Sequence, residues 1–233
     1  MLDSLGCGGA PDAEAFGDTG ANTLGHILKV RNGILNMPNL AGLGLGEALN
    51  HSSGSPSPWP KPRNGGWAVA REISKGKDTP SGHWELAGVP VPWDWHHFQN
   101  ETPAFPVKII RSVAEFAGGS LANCHASGLA VIDAFVDEHL RTGFPICYTS
   151  VDSVFQIAAH ENTFGLQRLY DLCSKMAPML HAMKVGRVIA RPFEGSAEQG
   201  FQRTLNRKDF SIDPPSPTLC DWVTEAGRSV YGI

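Results

Sequence analysis

Between residues 107 and 190 the apolar period of the chain switches repeatedly, and this switching restricts the segment to an α/β architecture. Residues 107–116 place Ile109, Ile110, Val113 and Phe116 at helical spacing, and residues 131–140 repeat the pattern with Ile132, Phe135, Val136 and Leu140. A short strand is expected over 146–149, the longest helix over 166–180, and an alternating strand over 185–190. Pro178 is expected to kink or end that long helix, because proline lacks the N–H and crowds the preceding turn.

The flanks carry weaker signals. Residues 23–30 read as a helix capped by Asn22 or Thr23, and 38–45 as another with Pro38 in its first turn. Residues 50–66 are rich in Ser, Pro and Gly and read as an exposed excursion pinned at its edges by Trp59 and Trp67. Residues 67–73 are expected to return as a strand. The aromatic run 92–97, PWDWHH, reads as a hinge, and 213–217, DPPSP, as a rigid linker before a helix over 218–225 capped by Thr218 or Ser216.

Composition narrows the function classes. A hydrophobic fraction of 42% in 233 residues permits a sizeable core. Nineteen basic against 23 acidic side chains leave a formal charge of −4, which does not point to a nucleic-acid partner. No apolar run approaches a membrane span, and no signal-peptide pattern is seen. The five cysteines, Cys7, Cys124, Cys147, Cys173 and Cys220, form no zinc or redox spacing and read as reduced thiols of a cytoplasmic protein.

Chemistry concentrates around Thr79. In residues 76–85, GKDTPSGHWE, one hydroxyl sits in a turn among Lys77, Asp78, His83 and Glu85. Gly76 and Gly82 permit sharp bends, and Pro80 pushes Thr79 towards extended backbone. The segment reads either as a rigidly held nucleophile or as a surface loop whose threonine caps a helix. Asp3, ahead of a glycine-rich loop, reads as a turn aspartate or as a hard-metal ligand at a strand end. The loop Thr149, Ser150, Val151, Asp152, Ser153 follows a strand; Asp152 or Ser153 can cap a helix towards Ala159. Arg187 and Arg191 share one face of a strand, and Arg203 and Arg207 follow. Together they read as a phosphate clamp led by Arg187 and Arg203, or as surface ion pairs with Glu194, Glu198 and Asp209. The adjacent His96 and His97 have nothing nearby to complete a metal site.

Residues 76–91, GKDTPSGHWELAGVPV, resemble the signature of the phosphopentomutases. The likeness continues through 2–6, 11–18, 22–26, 37–40, 43–45, 143–160, 186–193 and 201–209, in order. It implies an alkaline-phosphatase-like metalloenzyme: a partial core at 1–92, an inserted α/β cap at 93–213, and the start of a return to the core at 214–233. By resemblance, Thr79 is the residue phosphorylated during interconversion of ribose 1-phosphate and ribose 5-phosphate or their deoxy forms. Asp3 and Thr79 match ligands of two manganese ions, and a glucose or ribose bisphosphate serves as activator. Ser150 and Asp152 face the sugar, while Lys77, His83 and Glu85 form a supporting shell. Pentose phosphates are then the partners, with neither nucleic acid nor membrane. The chain has no Asp-His dipeptide, which the family uses for its metals, and it reads as an N-terminal portion that is inactive alone. A sugar-phosphate-binding protein without catalysis, or a related metal-dependent phosphohydrolase or mutase, is the alternative.

Overall fold

A computed structural model describes residues 5–62, 65–76 and 78–232. The chain divides into two units, one up to Ile73 and one from Ser74 onward.

The first unit is helical. A 3-10 turn, Ala13–Phe16, precedes α1 (Thr23–Val30), α2 (Pro38–Leu43) and α3 (Leu45–Ser53). Asn22 caps α1 by accepting the Gly25 N–H at 3.0 Å. The expected helix over 38–45 becomes two, because Gly44 adopts φ 108° and breaks the chain direction between α2 and α3. Leu24, Leu28 and Leu49 form the small core, packed by Leu35, Met37 and Trp59. Trp59 pins the Ser/Pro/Gly excursion by donating its indole N–H to the Leu35 carbonyl at 3.1 Å. The strand expected over 67–73 does not form, since a strand needs a hydrogen-bonded neighbour and the described part of this unit holds none. Met1, Leu2 and Asp3 lie outside the described residues.

The second unit is a three-layer α/β assembly. After α4 (Thr79–Leu86), its elements run α5 (Val107–Ala117), β1 (Leu121–His125), α6 (Gly128–Thr142), β2 (Ile146–Thr149) and β3 (Val154–His160). Then come α7 (Glu161–Phe164), α8 (Leu166–Ala182), β4 (Arg187–Ser196), β5 (Gly200–Arg203), β6 (Lys208–Ser211) and α9 (Leu219–Glu225). The sheet order is β1-β2-β3-β4-β5, with β6 also on β4; β1–β2 and β3–β4 are parallel and the other pairs antiparallel.

Strand alternation sorts the two faces. Cys147, Phe155, Ile157, Val188 and Ala190 pack under α5 and α8, against Ile109, Val113, Leu169, Leu172 and Met176. Ile146, Tyr148, Ala158 and Phe193 point the other way, under Val131, Ile132 and Val136 of α6. The α/β class is therefore as read from the periodicity. Pro178 lies inside α8, which continues to Ala182. The buried face of Met176, Ala177 and Leu180 holds that last turn in place despite the missing N–H. The segment from 154 is a strand, not a helix capped by Asp152 or Ser153. Its backbone donors and acceptors are taken by β2 on one side and β4 on the other.

His139 joins layers. It is fully buried, its Nδ1–H donates to the Phe144 carbonyl at 2.6 Å, and its Nε2 accepts the His160 N–H at 2.9 Å. Both ring nitrogens serve backbone, so the neutral imidazole is the form that fits. Burial holds its pKa below the ordinary 6.5, and His160 adds to this while the Phe144 carbonyl opposes it. The unfolded chain therefore takes up the proton first. The stability that the neutral ring contributes is intact above pH 6.5 and is lost as pH falls from there through the lowered value. His139→Ala is expected to cost about 2–4 kcal/mol through two orphaned buried groups and a cavity. Urea melts at pH 7.5 and 5.5 check this: the acid-side loss should be smaller in the variant than in the parent.

Candidate functional site

The site lies on the face of the sheet that α6 only partly covers. Tyr148, Gln156, Ile189 and Asp209 are register partners across β2, β3, β4 and β6 and so share that face. Arg187 and Arg191 flank Ile189 on the same side, as their spacing requires.

Arg187 is buried and meets three carboxylates. Nη2 lies 3.3 Å from Asp152 Oδ2, Nη1 3.4 Å from Asp209 Oδ2, and Nε 3.8 Å from Asp78 Oδ1. Arg207 clasps Asp209 bidentately, both bonds 2.7 Å. Three aspartates thus meet two arginines, and Arg191 lies near enough to Asp209 and Arg207 to feel their charge. Burial raises the Asp78 carboxyl to about 7; Arg187 pulls it down, Asp152 pushes it up, and the Ser153 N–H pulls it down. The expected ion pairing of arginines with Asp209 is thus realised, through Arg187 and Arg207. Arg191 donates to Gln156 Oε1 at 3.0 Å, and the Gln156 amide donates to Ser150 Oγ at 3.3 Å.

Arg203 stands elsewhere on this face. The position of a Cβ on Gly128 would fall 2.6 Å from Arg203 Nη2 and 2.7 Å from the Tyr148 hydroxyl, so both groups converge on the first residue of α6. Ser127, before it, makes no side-chain cap bond. Tyr148 is fully buried, and its hydroxyl has no hydrogen-bond partner among the described residues. Free helix N–H groups, a guanidinium and a buried hydroxyl together suit an anion.

Thr79 is the first residue of α4, not part of an open turn. Pro80 fits the first turn, where its missing N–H leaves no bond unmade, so the extended residue is Asp78 at φ −146°, ψ 144°. Thr79 is exposed, whereas Ser81, the nearest rival hydroxyl, is fully buried and accepts the Trp95 indole N–H at 2.5 Å. His83 Nδ1 binds the Thr79 carbonyl at 2.8 Å and so braces the helix backbone. Glu85 accepts from the Ser74 N–H at 2.8 Å and the Ser74 hydroxyl at 2.5 Å, closing the base of the segment. Lys77, like Asp3, lies outside the described residues.

The structure therefore gathers Asp152 and Arg187 closely, links Ser150 through Gln156 to Arg191, and sets Arg203 at the N-terminus of α6. Sequence reasoning did not single out Tyr148 or Gln156; it named Ser153 only as a possible helix cap and Asp78 only as a neighbour of Thr79. Among the described residues, no three His, Cys, Asp or Glu side chains converge as a metal site requires. Those residues do not by themselves fit a manganese pair.

The class of protein is thus an α/β fold with an exposed threonine and an arginine-lined, partly open sheet face. No family model matches the chain. It is similar over its whole length to phosphopentomutases. An enzyme of Methylorubrum extorquens is 51% identical over 249 residues, covering 100% of this chain and 62% of that protein. Those of Aeromonas hydrophila and Agrobacterium fabrum are likewise 51% identical over 100% of this chain and 61% of their own length. The chain spans about three fifths of the length of these relatives. The resemblance to the phosphopentomutase family read from the sequence is borne out from end to end. All five cysteines are free thiols, and no described helix is long and apolar enough to cross a membrane.

Proposed function

We propose that this chain carries the phosphoacceptor and the sugar-phosphate face of a phosphopentomutase, acting in the cytoplasm on ribose 1-phosphate, ribose 5-phosphate and their deoxy forms. One observation carries the reading. An exposed Thr79 follows directly on a buried carboxylate tied to Arg187, in a chain half identical throughout to curated phosphopentomutases. In this reading, phosphorylated Thr79 donates its phosphoryl group to the free hydroxyl of a sugar monophosphate. The bond to Thr79 Oγ breaks as the bond to the sugar oxygen forms. The bisphosphate reorients, and its other phosphate returns to Thr79.

Asp152 and Ser150 hold sugar hydroxyls; Arg203, with the α6 N-terminus and the Tyr148 hydroxyl, holds the phosphate that is not in transfer. Arg187 holds Asp152 and, with Arg203, serves the sugar phosphate. The cap spans 93–213 and the core contribution 1–92, with 214–233 returning to the core in an alkaline-phosphatase-like arrangement. His83 supports Thr79 at the start of α4, and the family reading adds Lys77 to that supporting shell. The family reading also includes two manganese ions, with Asp3 and Thr79 among their ligands, and a glucose or ribose bisphosphate activator. When bound, the ions would supply charge neutralisation on the transferring phosphoryl group.

A titration of the 15N-labelled chain with ribose 5-phosphate tests the face. Arg203 is exposed, so its contact with phosphate is worth about 1 kcal/mol and an overall affinity of about 1 mM is expected. Arg203→Ala should weaken binding about fivefold. Arg141→Ala, at an exposed residue paired with Glu138 at 3.3 Å, should leave it unchanged. Equal effects from the two substitutions would overturn the assignment.

A further inference from the structure

We propose that Asp78 is the positioning residue of this site. Its carboxylate registers the Thr79-bearing helix on the Ser150–Ser153 loop and on Arg187, so that one side chain aligns the phosphoacceptor with the sugar-holding groups. The proposal deepens, and rests on, the reading of Thr79 and the Asp152–Arg187 face given above.

Asp78 occupies the N-cap position of α4, where an aspartate ordinarily accepts an N–H of its own first turn. It makes no such bond. Its side chain is instead fully buried, and Oδ2 accepts the backbone N–H of Ser153 at 2.9 Å, 75 residues away in sequence. Extended backbone at Asp78 sends neighbouring side chains to opposite sides, so Asp78 points inward while Thr79 stays exposed. The partner is a rigid node. Ser153 is fully buried; its hydroxyl donates to the His96 carbonyl at 2.7 Å and accepts the Gly186 N–H at 3.0 Å. Its carbonyl also accepts the N–H groups of Gly186 and Arg187, at 2.9 and 3.2 Å.

The chain is shaped to admit the carboxylate. A Cβ on Gly186 would stand 3.2 Å from Asp78 Oδ1 and 3.3 Å from the Ser153 carbonyl oxygen, which is tighter than ordinary contact. Glycine there leaves the space that Asp78 fills. The Arg187 guanidinium near Oδ1 is the one that also holds Asp152 and Asp209. A ligand that draws on Asp152 or Arg187 therefore alters the charge facing Asp78, and the effect reaches Thr79 through one residue of backbone. That is a physical route for coupling between sugar binding and the phosphoacceptor.

The test uses the whole chain, with amide exchange and ribose 5-phosphate titration read by NMR. Three substitutions separate the roles. Asp78→Asn keeps an oxygen for the Ser153 N–H, Asp78→Ala removes it, and Asp78→Ser restores a local helix cap but is too short to reach Ser153. In Asp78→Ala and Asp78→Ser, exchange of the Ser153 amide is expected to quicken at least about tenfold, and in Asp78→Asn to stay within about threefold of the parent. Ribose 5-phosphate should shift both the Ser153 and Trp84 amides of the parent. In Asp78→Ser it should still shift the 150–153 loop but no longer Trp84, a loss of transmission that mere destabilisation would not produce. If Asp78→Ala does not fold, Asp78→Ser decides the question with its helix capped. Unchanged Ser153 exchange, or a Trp84 response that persists in Asp78→Ser, overturns the proposal. If no variant responds to ribose 5-phosphate, the function proposed above fails, and the Ser153 exchange comparison still decides whether Asp78 holds the turn.

Discussion

Arg187→Ala is expected to destabilise the unit from Ser74 onward by about 3–5 kcal/mol, because it strands carboxylates that are out of water. The Asp78 side chain is fully buried and that of Asp209 only a quarter exposed, and both face the guanidinium. For a protein of this size each kcal/mol lowers the melting temperature by about 2–4 °C, so the drop is on the order of 10 °C. Asp152→Asn makes the contrast. That side chain is 36% exposed and its charge repels that of Asp78, so the change should cost under about 1 kcal/mol. Urea denaturation of the two variants measures both. A loss below about 1 kcal/mol in Arg187→Ala would mean that the guanidinium is not balancing the cluster.

Thr79→Ala is expected to abolish phosphoryl transfer in the chain joined to the remaining two fifths of a curated relative such as the Aeromonas hydrophila enzyme. A covalent relay without its acceptor should lose at least about a thousandfold in turnover. Ser81 cannot take over, because it is fully buried and its oxygen is occupied by the Trp95 indole. Turnover in a coupled assay, and phosphopeptide mapping of the primed parent protein, give the measurement. Retained turnover in Thr79→Ala, or phosphate mapped to Ser81, would remove Thr79 from its role.

Different parts of the molecule were legible to different degrees in the sequence. Helices with long apolar stripes, α5, α6 and α8, announced themselves because a helix carries its periodicity within one segment. The central strand β2 did so as a short apolar run between glycine and polar residues. The strands β1, β3, β5 and β6 did not. A strand satisfies its backbone on neighbours remote in sequence, and Val154–His160 is buried on both faces, so no alternation distinguishes it from a buried helix. The strand expected over 67–73 failed for the same reason in reverse, since apolar content without a neighbour makes no ladder.

The family likeness and the Thr79 block were properties of the sequence by itself, because they reside in contiguous residues. So was the shared face of Arg187 and Arg191, which follows from a period of two. Only the tertiary structure decided what those side chains meet. It set Arg187, a candidate phosphate ligand, among Asp78, Asp152 and Asp209 as their buried counter-ion, and Arg203 beside Tyr148 at a helix N-terminus. It also turned the cap residue Asp78 away from its own helix and onto Ser153. Electrostatic partnership falls off over a few ångströms, and those ångströms are closed by the fold between residues as far apart as 78 and 153, a distance no local pattern encodes.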